Sequence, residues 1–182
     1  MAVQIGAKTH DFSDPTGLLS DCHRRIEMFL RALESVAVLI DHPLSNQART
    51  ALESALRYFR EAAPKHTADE EESLFPRLRQ IMRSDVQSAI QRLEALERDH
   101  QIAGSLHSTV EDLGKRCLAQ GSLAADEASL FRECVAKLVS IYQEHIQVED
   151  DLVFPVAEWV LSSTDKESIA EEMAARRNAA KN

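Results

Sequence analysis

The sequence is poor in residues that interrupt helices and in features that cross-link or anchor a chain. Glycine and proline occur only five times each among 182 residues. The three cysteines lie far apart and form no Cys-x-x-Cys pair, so the pattern predicts neither a disulfide framework nor a thiolate zinc site. The longest apolar stretch, Val36–Ile40, is too short to cross a bilayer.

Positively charged residues are outnumbered by negatively charged ones. There are 21 Lys and Arg residues against 30 Asp and Glu residues, giving a formal net charge of −9. No basic run is present, which argues against nucleic acid as a partner. The first 20 residues have neither a basic start nor an apolar run, so we expect no signal peptide. The sequence therefore predicts a soluble cytoplasmic protein without membrane partners, as one domain over residues 1–182, and leaves the oligomeric state open.

Strong helix formers fill the chain between four weak breaks. Ala, Leu, Glu, Arg and Gln dominate, apolar residues recur at helical spacing, and no stretch alternates as a strand does. The pattern predicts helices over residues 17–41, 46–82, 85–119 and 124–160, and another over about 165–180. Thr164 and Glu167 predict a capping box for that last helix. Short links predict an all-α, antiparallel, up-down four-helix bundle over about 15–160 with an extra C-terminal helix.

One motif occurs twice in the sequence. The segment His66–Pro76 aligns without a gap on His145–Pro155, 79 positions later, and both read H-x3-E-[ED]-[ED]-x-[LV]-F-P. A single histidine precedes each copy, His23 in the first half and His100 in the second. Each half therefore carries a histidine on its first helix and His-x3-Glu on its second.

The predicted turns place these histidines at one height of the bundle. In an antiparallel helix pair, residues equidistant from the turn lie at the same level. The histidines considered are, in chain order, His23, His66, His100 and His145. The midpoint between each histidine and the next falls at or beside one of the predicted breaks, so three of the four breaks are matched. Glu70 and Glu149 follow their histidines at i+4, on the same helix face. The sequence thus predicts a layer of four histidines and two glutamates.

Six polar side chains in a bundle core would be costly unless a cation balanced them. Imidazole and carboxylate ligands without thiolate suit iron, manganese or zinc. The set is large enough for two ions about 3.5–4 Å apart, with positions left for a small molecule. A simpler interpretation is duplicated helix packing, in which the Phe-Pro pairs are the feature that the two copies share.

At these residues the chain resembles the hemerythrin-like (HHE cation-binding) proteins, helical bundles that hold a non-haem di-iron centre, bacterial members included. The resemblance covers about residues 15–160 and rests on the two H-x3-E motifs. It implies two iron ions per chain, with Glu70 and Glu149 bridging them, and the ligands His23, His66, Glu70, His100, His145 and Glu149. It also implies a small diatomic or peroxide partner, because members bind oxygen or react with nitric oxide or peroxide. Other members sense iron or oxygen, or repair iron–sulfur clusters, so whether this chain is an enzyme stays open.

Two positions depart from the oxygen-carrying members. Their third helix carries His-x3-His, whereas here Gly104 stands four residues after His100. The glycine either opens space beside the metal for reactive small molecules or allows close helix contact. The carriers also have His-x4-Asp on the last helix, a role that Asp150 could fill, although the repeat favours Glu149.

Other candidates have simpler interpretations beside the functional ones. Glu27, at i+4 from His23, is either a further ligand or an exposed helix residue. Tyr142 either points toward the histidine layer or packs in the core. A ferritin-like carboxylate centre is disfavoured because only one Glu-x-x-His motif occurs, at Glu97 and His100.

Overall fold

The chain is helical over nearly all of residues 10–178, the part that this computed structural model describes, and no β-strand occurs within that range. The α-helices in chain order are α1 (Pro15–Ala37), α2 (Asn46–Glu61), α3 (Ala63–Ala68), α4 (Phe75–Arg79), α5 (Gln87–Gln120), α6 (Ala125–Val148), α7 (Phe154–Val160) and α8 (Ser163–Asn178). The all-α class is confirmed. Most ends of the five predicted helices lie within a few residues of the ends of the observed helical stretches. The antiparallel up-down order of the bundle stays a prediction.

The described residues form two compact units. The first unit contains residues 10–25, 63–97 and 145–178, and the second contains residues 26–62 and 98–144. Helices α1, α5 and α6 each contribute residues to both units. Among residues 10–178, no helix has the combined length and apolar character that a membrane span requires.

Side-chain caps and one glycine set the ends of the helices. The Ser45 side chain accepts a hydrogen bond from the backbone N–H of Ala48 at the start of α2. Gly121 ends α5 with a φ of 95°, a conformation that glycine adopts without steric cost. The capping box of α8 uses Ser162 and Asp165, which exchange hydrogen bonds of 3.1 and 3.3 Å. The predicted box at Thr164 and Glu167 was therefore wrong, because α8 begins earlier, at Ser163.

Each copy of the repeated motif contains a π-helical turn, which the continuous predicted helices 46–82 and 124–160 did not include. The first π segment is Asp69–Leu74 and the second is Glu149–Val153. In each, a phenylalanine N–H donates to the glutamate carbonyl five residues earlier, Phe75 to Glu70 and Phe154 to Glu149. The proline after each phenylalanine has no N–H, and its ring would clash with the i−4 carbonyl of a regular α-helix. The wider π turn accommodates that proline.

The apolar core of the first unit lies against both π segments. Leu74 and Phe75 from the first motif pack with Val153 and Phe154 from the second, all at most 4% exposed. Helix α8 joins this core through Ile169 and Met173 and the residues around them. Burial of these side chains holds the two π segments in place through the hydrophobic effect.

The second unit buries a histidine among aromatic side chains. The His107 ring stacks on Phe59 with 4.2 Å between centroids, and its Nε2 lies 3.2 Å from the Tyr142 hydroxyl. Burial lowers the pKa of His107 to about 4 because the charged imidazolium would lose its hydration. His107 is therefore neutral at physiological pH.

We expect the free energy of unfolding to fall between pH 6.5 and pH 4 in part because of His107. The unfolded chain takes up a proton at this site near pH 6.5, whereas the folded chain does so only near pH 4. The difference corresponds to about 3 kcal/mol. His107→Gln keeps a hydrogen-bonding partner for Tyr142 but cannot titrate, so denaturant unfolding of this variant should show a shallower pH dependence than the natural sequence. Equal slopes for the two proteins would contradict the assignment.

Candidate metal centre

Five of the six predicted ligands belong to the first unit, and all five are buried. They come from separate elements: His23 from α1, His66 from α3, Glu70 from the first π segment, His145 from α6 and Glu149 from the second π segment. The two glutamates are 0% exposed and the three histidines at most 4% exposed. Charged or polar side chains at this depth require a partner.

The imidazole nitrogens of this group face its carboxylate oxygens. Glu149 Oε2 lies 3.1 Å from His23 Nε2 and 3.1 Å from His145 Nε2. Glu70 Oε1 lies 3.2 Å from His66 Nε2 and 3.8 Å from His23 Nε2. The i to i+4 spacing predicted that His66 pairs with Glu70 and His145 with Glu149. In the structure, the imidazole and carboxylate of each pair are in direct contact.

These side chains converge closely enough to surround a metal ion. One ligand atom from each of His23, His66, Glu70 and Glu149 lies within 4.8 Å of those from the other three. Ligand atoms of Glu70, His145 and Glu149 also lie within 4.8 Å of one another. Both carboxylates are thus within range of all three histidines, which is the arrangement that a pair of ions sharing carboxylates needs.

The orphaned polar atoms of Glu149 and His23 fit a cation. Neither carboxylate oxygen of Glu149 accepts a hydrogen bond from the described residues, although both are buried. His23 Nε2 is buried as well and has no hydrogen-bond partner there. A metal ion would bind the carboxylate charge and the imidazole lone pair together, so the donor set fits the group that it would hold.

The electrostatics of the site favour an ionised carboxylate. Burial and the neighbouring Glu70 carboxylate oppose ionisation of Glu149, but His145 and His23 hold its pKa below the ordinary value. Burial also acts to lower the pKa of His23, yet Asp150, Glu149 and Glu70 together raise it well above the ordinary value. A proton on His23 therefore supplies positive charge beside these carboxylates, as a bound cation would.

Asp150 orients His23, a role that the sequence did not reveal. Asp150 Oδ1 lies 3.0 Å from His23 Nδ1 and accepts a hydrogen bond of 2.7 Å from the Ser20 hydroxyl. The bond at Nδ1 leaves Nε2 directed at the carboxylates. Asp150, considered from sequence as an alternative ligand, lies behind the histidine instead. The sequence drew attention to Asp150 only through its spacing from His145, which matches the His-x4-Asp of the oxygen-carrying members.

The remaining candidates belong to the second unit. His100 is half-buried on α5, and its role as the sixth ligand stays a prediction from the turn spacing. A Cβ added at Gly104 would have no atom within 4 Å, so close helix contact does not explain this glycine. Glu27 is 47% exposed and lies 3.8 Å from Arg31, which favours the simpler interpretation of an exposed helix residue.

Comparison with known proteins agrees with this geometry. The family model for the hemerythrin HHE cation binding domain matches residues 14–157, which include both π segments and all six predicted ligands. A protein of Haemophilus influenzae, described as an uncharacterized protein, is 26% identical over 168 residues, covering 91% of each chain. The chain belongs to the hemerythrin HHE cation-binding domain family.

Proposed function

We propose that this protein binds two iron ions per chain and that the ion pair binds or reacts with O2, NO or peroxide. The proposed ligands are His23, His66, Glu70, His100, His145 and Glu149, with the two glutamates bridging the ions. The observation that carries the proposal is the Glu149 carboxylate, which is fully buried, accepts no hydrogen bond from the described residues and faces two imidazole nitrogens at 3.1 Å.

The ligand chemistry is of the kind that iron binds. Neither cluster of ligand atoms includes a cysteine, and imidazole with carboxylate suits iron, manganese or zinc rather than a soft metal. Two carboxylates shared by three histidines in the first unit are more than one tetrahedral ion requires. The family membership supports a cation site, and its di-iron type is part of this proposal.

The side chains around the proposed ligands hold the His23 ring in place and exclude water from the site. Asp150 and Ser20 fix the His23 ring, and the stacked Phe154 ring, 5.3 Å away between centroids, covers one face of it. The five proposed ligands of the first unit are at most 4% exposed, which restricts access to small molecules. When bound, the iron pair would supply binding and redox chemistry toward O2, NO or peroxide.

We also propose a cytoplasmic location. The three cysteines Cys22, Cys117 and Cys134 are buried, and none of them forms a disulfide within the described residues, which suits a reducing compartment.

Metal analysis tests the ligand set directly. Protein produced with iron should contain about two irons per chain and show charge-transfer absorption in air. Glu149→Gln keeps the side-chain volume but removes the bridging charge, so iron content should fall by half or more. His42→Ala serves as the control, because that side chain is 74% exposed and should retain full iron content. One zinc per chain that His145→Ala leaves unchanged would overturn the proposal.

His100 has its own test, since its contribution rests on sequence spacing. His100→Ala should lower the iron content or shift the charge-transfer absorption, because one ion would lose an imidazole. His107→Gln, which changes a histidine of the same helix that faces Tyr142, is the matched control and should do neither. Full iron content and an unchanged spectrum in His100→Ala would remove His100 from the ligand set.

Reactivity separates turnover from sensing. The reduced protein is prepared anaerobically and mixed with O2, NO or peroxide in a stopped-flow instrument. It should consume at least one of the three on the time scale that stopped-flow mixing resolves. Gly104→His should slow that reaction, because an imidazole at this open position would compete for the metal. Metal-dependent thermal stabilisation with no reaction toward any of the three would instead favour an iron-sensing module.

A further inference from the structure

Two arginines at the end of α8 hold a buried aspartate beside a proposed ligand. Asp69 is 0% exposed and immediately precedes Glu70. Arg177 Nη2 donates to Asp69 Oδ2 at 2.6 Å, and Arg176 Nη1 donates to Asp69 Oδ1 at 3.0 Å. Each carboxylate oxygen thus has its own guanidinium donor, an arrangement with strong directional preference.

Arg176 contacts the first π segment at more than one residue. Its Nη2 donates to the Ser73 hydroxyl at 2.9 Å and to Glu72 Oε2 at 3.1 Å, in addition to the contact with Asp69. One guanidinium therefore connects three of the six residues of Asp69–Leu74. A π turn is less stable than regular α-helix and persists where surrounding contacts fix it.

A second ion pair and apolar burial attach α8 to the same region. Arg77, just after the first π segment, donates to both carboxylate oxygens of Glu172 at 2.8 and 3.2 Å. Ile169 and Met173 are at most 1% exposed in the core. Helix α8 would therefore remain docked if the contacts to Asp69 were lost, which makes the two roles separable by mutation.

The repeated motif shows that the aspartate is not required for packing. The position equivalent to Asp69 in the second copy is Val148, an apolar side chain that packs against the core. Replacing a buried ion pair by an apolar residue is often neutral or stabilising, because charges lose hydration on burial. The charged cluster therefore has a role that Val148 does not serve in the other half.

We propose that Asp69, Arg176 and Arg177 are positioning residues that fix the first π segment, so that Glu70 is held in place to bind metal. The inference rests on the proposed metal site. According to this inference, α8 helps the protein to retain its metal, although α8 lies beyond residues 14–157, which match the family model. The arginines act through Asp69 and the π turn, without touching the metal.

The test compares metal retention with stability in matched variants. Asp69→Asn removes the charge of the carboxylate at nearly constant side-chain volume, and the double variant R176Q/R177Q removes both guanidinium charges. Lys166→Gln is the control, because it weakens a charged contact of α8 whose partner, Glu158, lies on α7 and outside both π segments. The measurements are the rate at which Fe²⁺-loaded protein loses iron to a chelator without oxygen, and the melting temperature with and without Fe²⁺.

We expect the first two variants to lose iron roughly tenfold faster, the size of effect seen when residues supporting a metal ligand are removed. The rise in melting temperature that Fe²⁺ gives should shrink in these variants and stay unchanged in Lys166→Gln. Equal iron-loss rates in all proteins, or a melting temperature lowered equally with and without Fe²⁺, would overturn the inference and leave the proposed metal site standing. Absence of any Fe²⁺ effect on the natural sequence would instead overturn the proposed function, and the inference with it.

Discussion

The structure of the first unit depends on the burial of two carboxylates, Glu70 and Glu149, opposite imidazole nitrogens. Burying a carboxylate without compensation costs several kcal/mol, and imidazoles alone offset it only when they carry protons. A bound cation pair would neutralise both carboxylates and leave the histidines as neutral ligands. The surrounding features serve the same end, since the π turns, the Asp150–His23 pair and the apolar core each fix part of this group.

The π turns connect the sequence repeat to the chemistry. Each begins at or just before its glutamate and ends before a Phe-Pro pair, so the proline that forces the wider turn lies six residues after the carboxylate it helps to place. The phenylalanine of each pair is buried in the core. The Phe-Pro pairs and the His-Glu pairs are therefore parts of one local structure, and the two interpretations of the repeat are compatible.

Helix positions and paired ligands were predictable because they follow from local rules. Helix propensity and apolar period placed the helices, and i to i+4 spacing paired His66 with Glu70 and His145 with Glu149. The contacts of Asp150 with Ser20 and of Asp69 with Arg177 could not be found this way, because they join residues 130 and 108 positions apart. The π turns were missed because Asp69–Leu74 has ordinary helix propensity, and Pro76 was the only sign of an irregularity.

The most direct measurement of the central claim is anomalous diffraction at the iron absorption edge from crystals of iron-loaded protein. The account predicts two anomalous peaks about 3.5–4 Å apart, both within bonding distance of the Glu70 and Glu149 carboxylates. No peak at these residues, or iron bound only elsewhere on the chain, would contradict it.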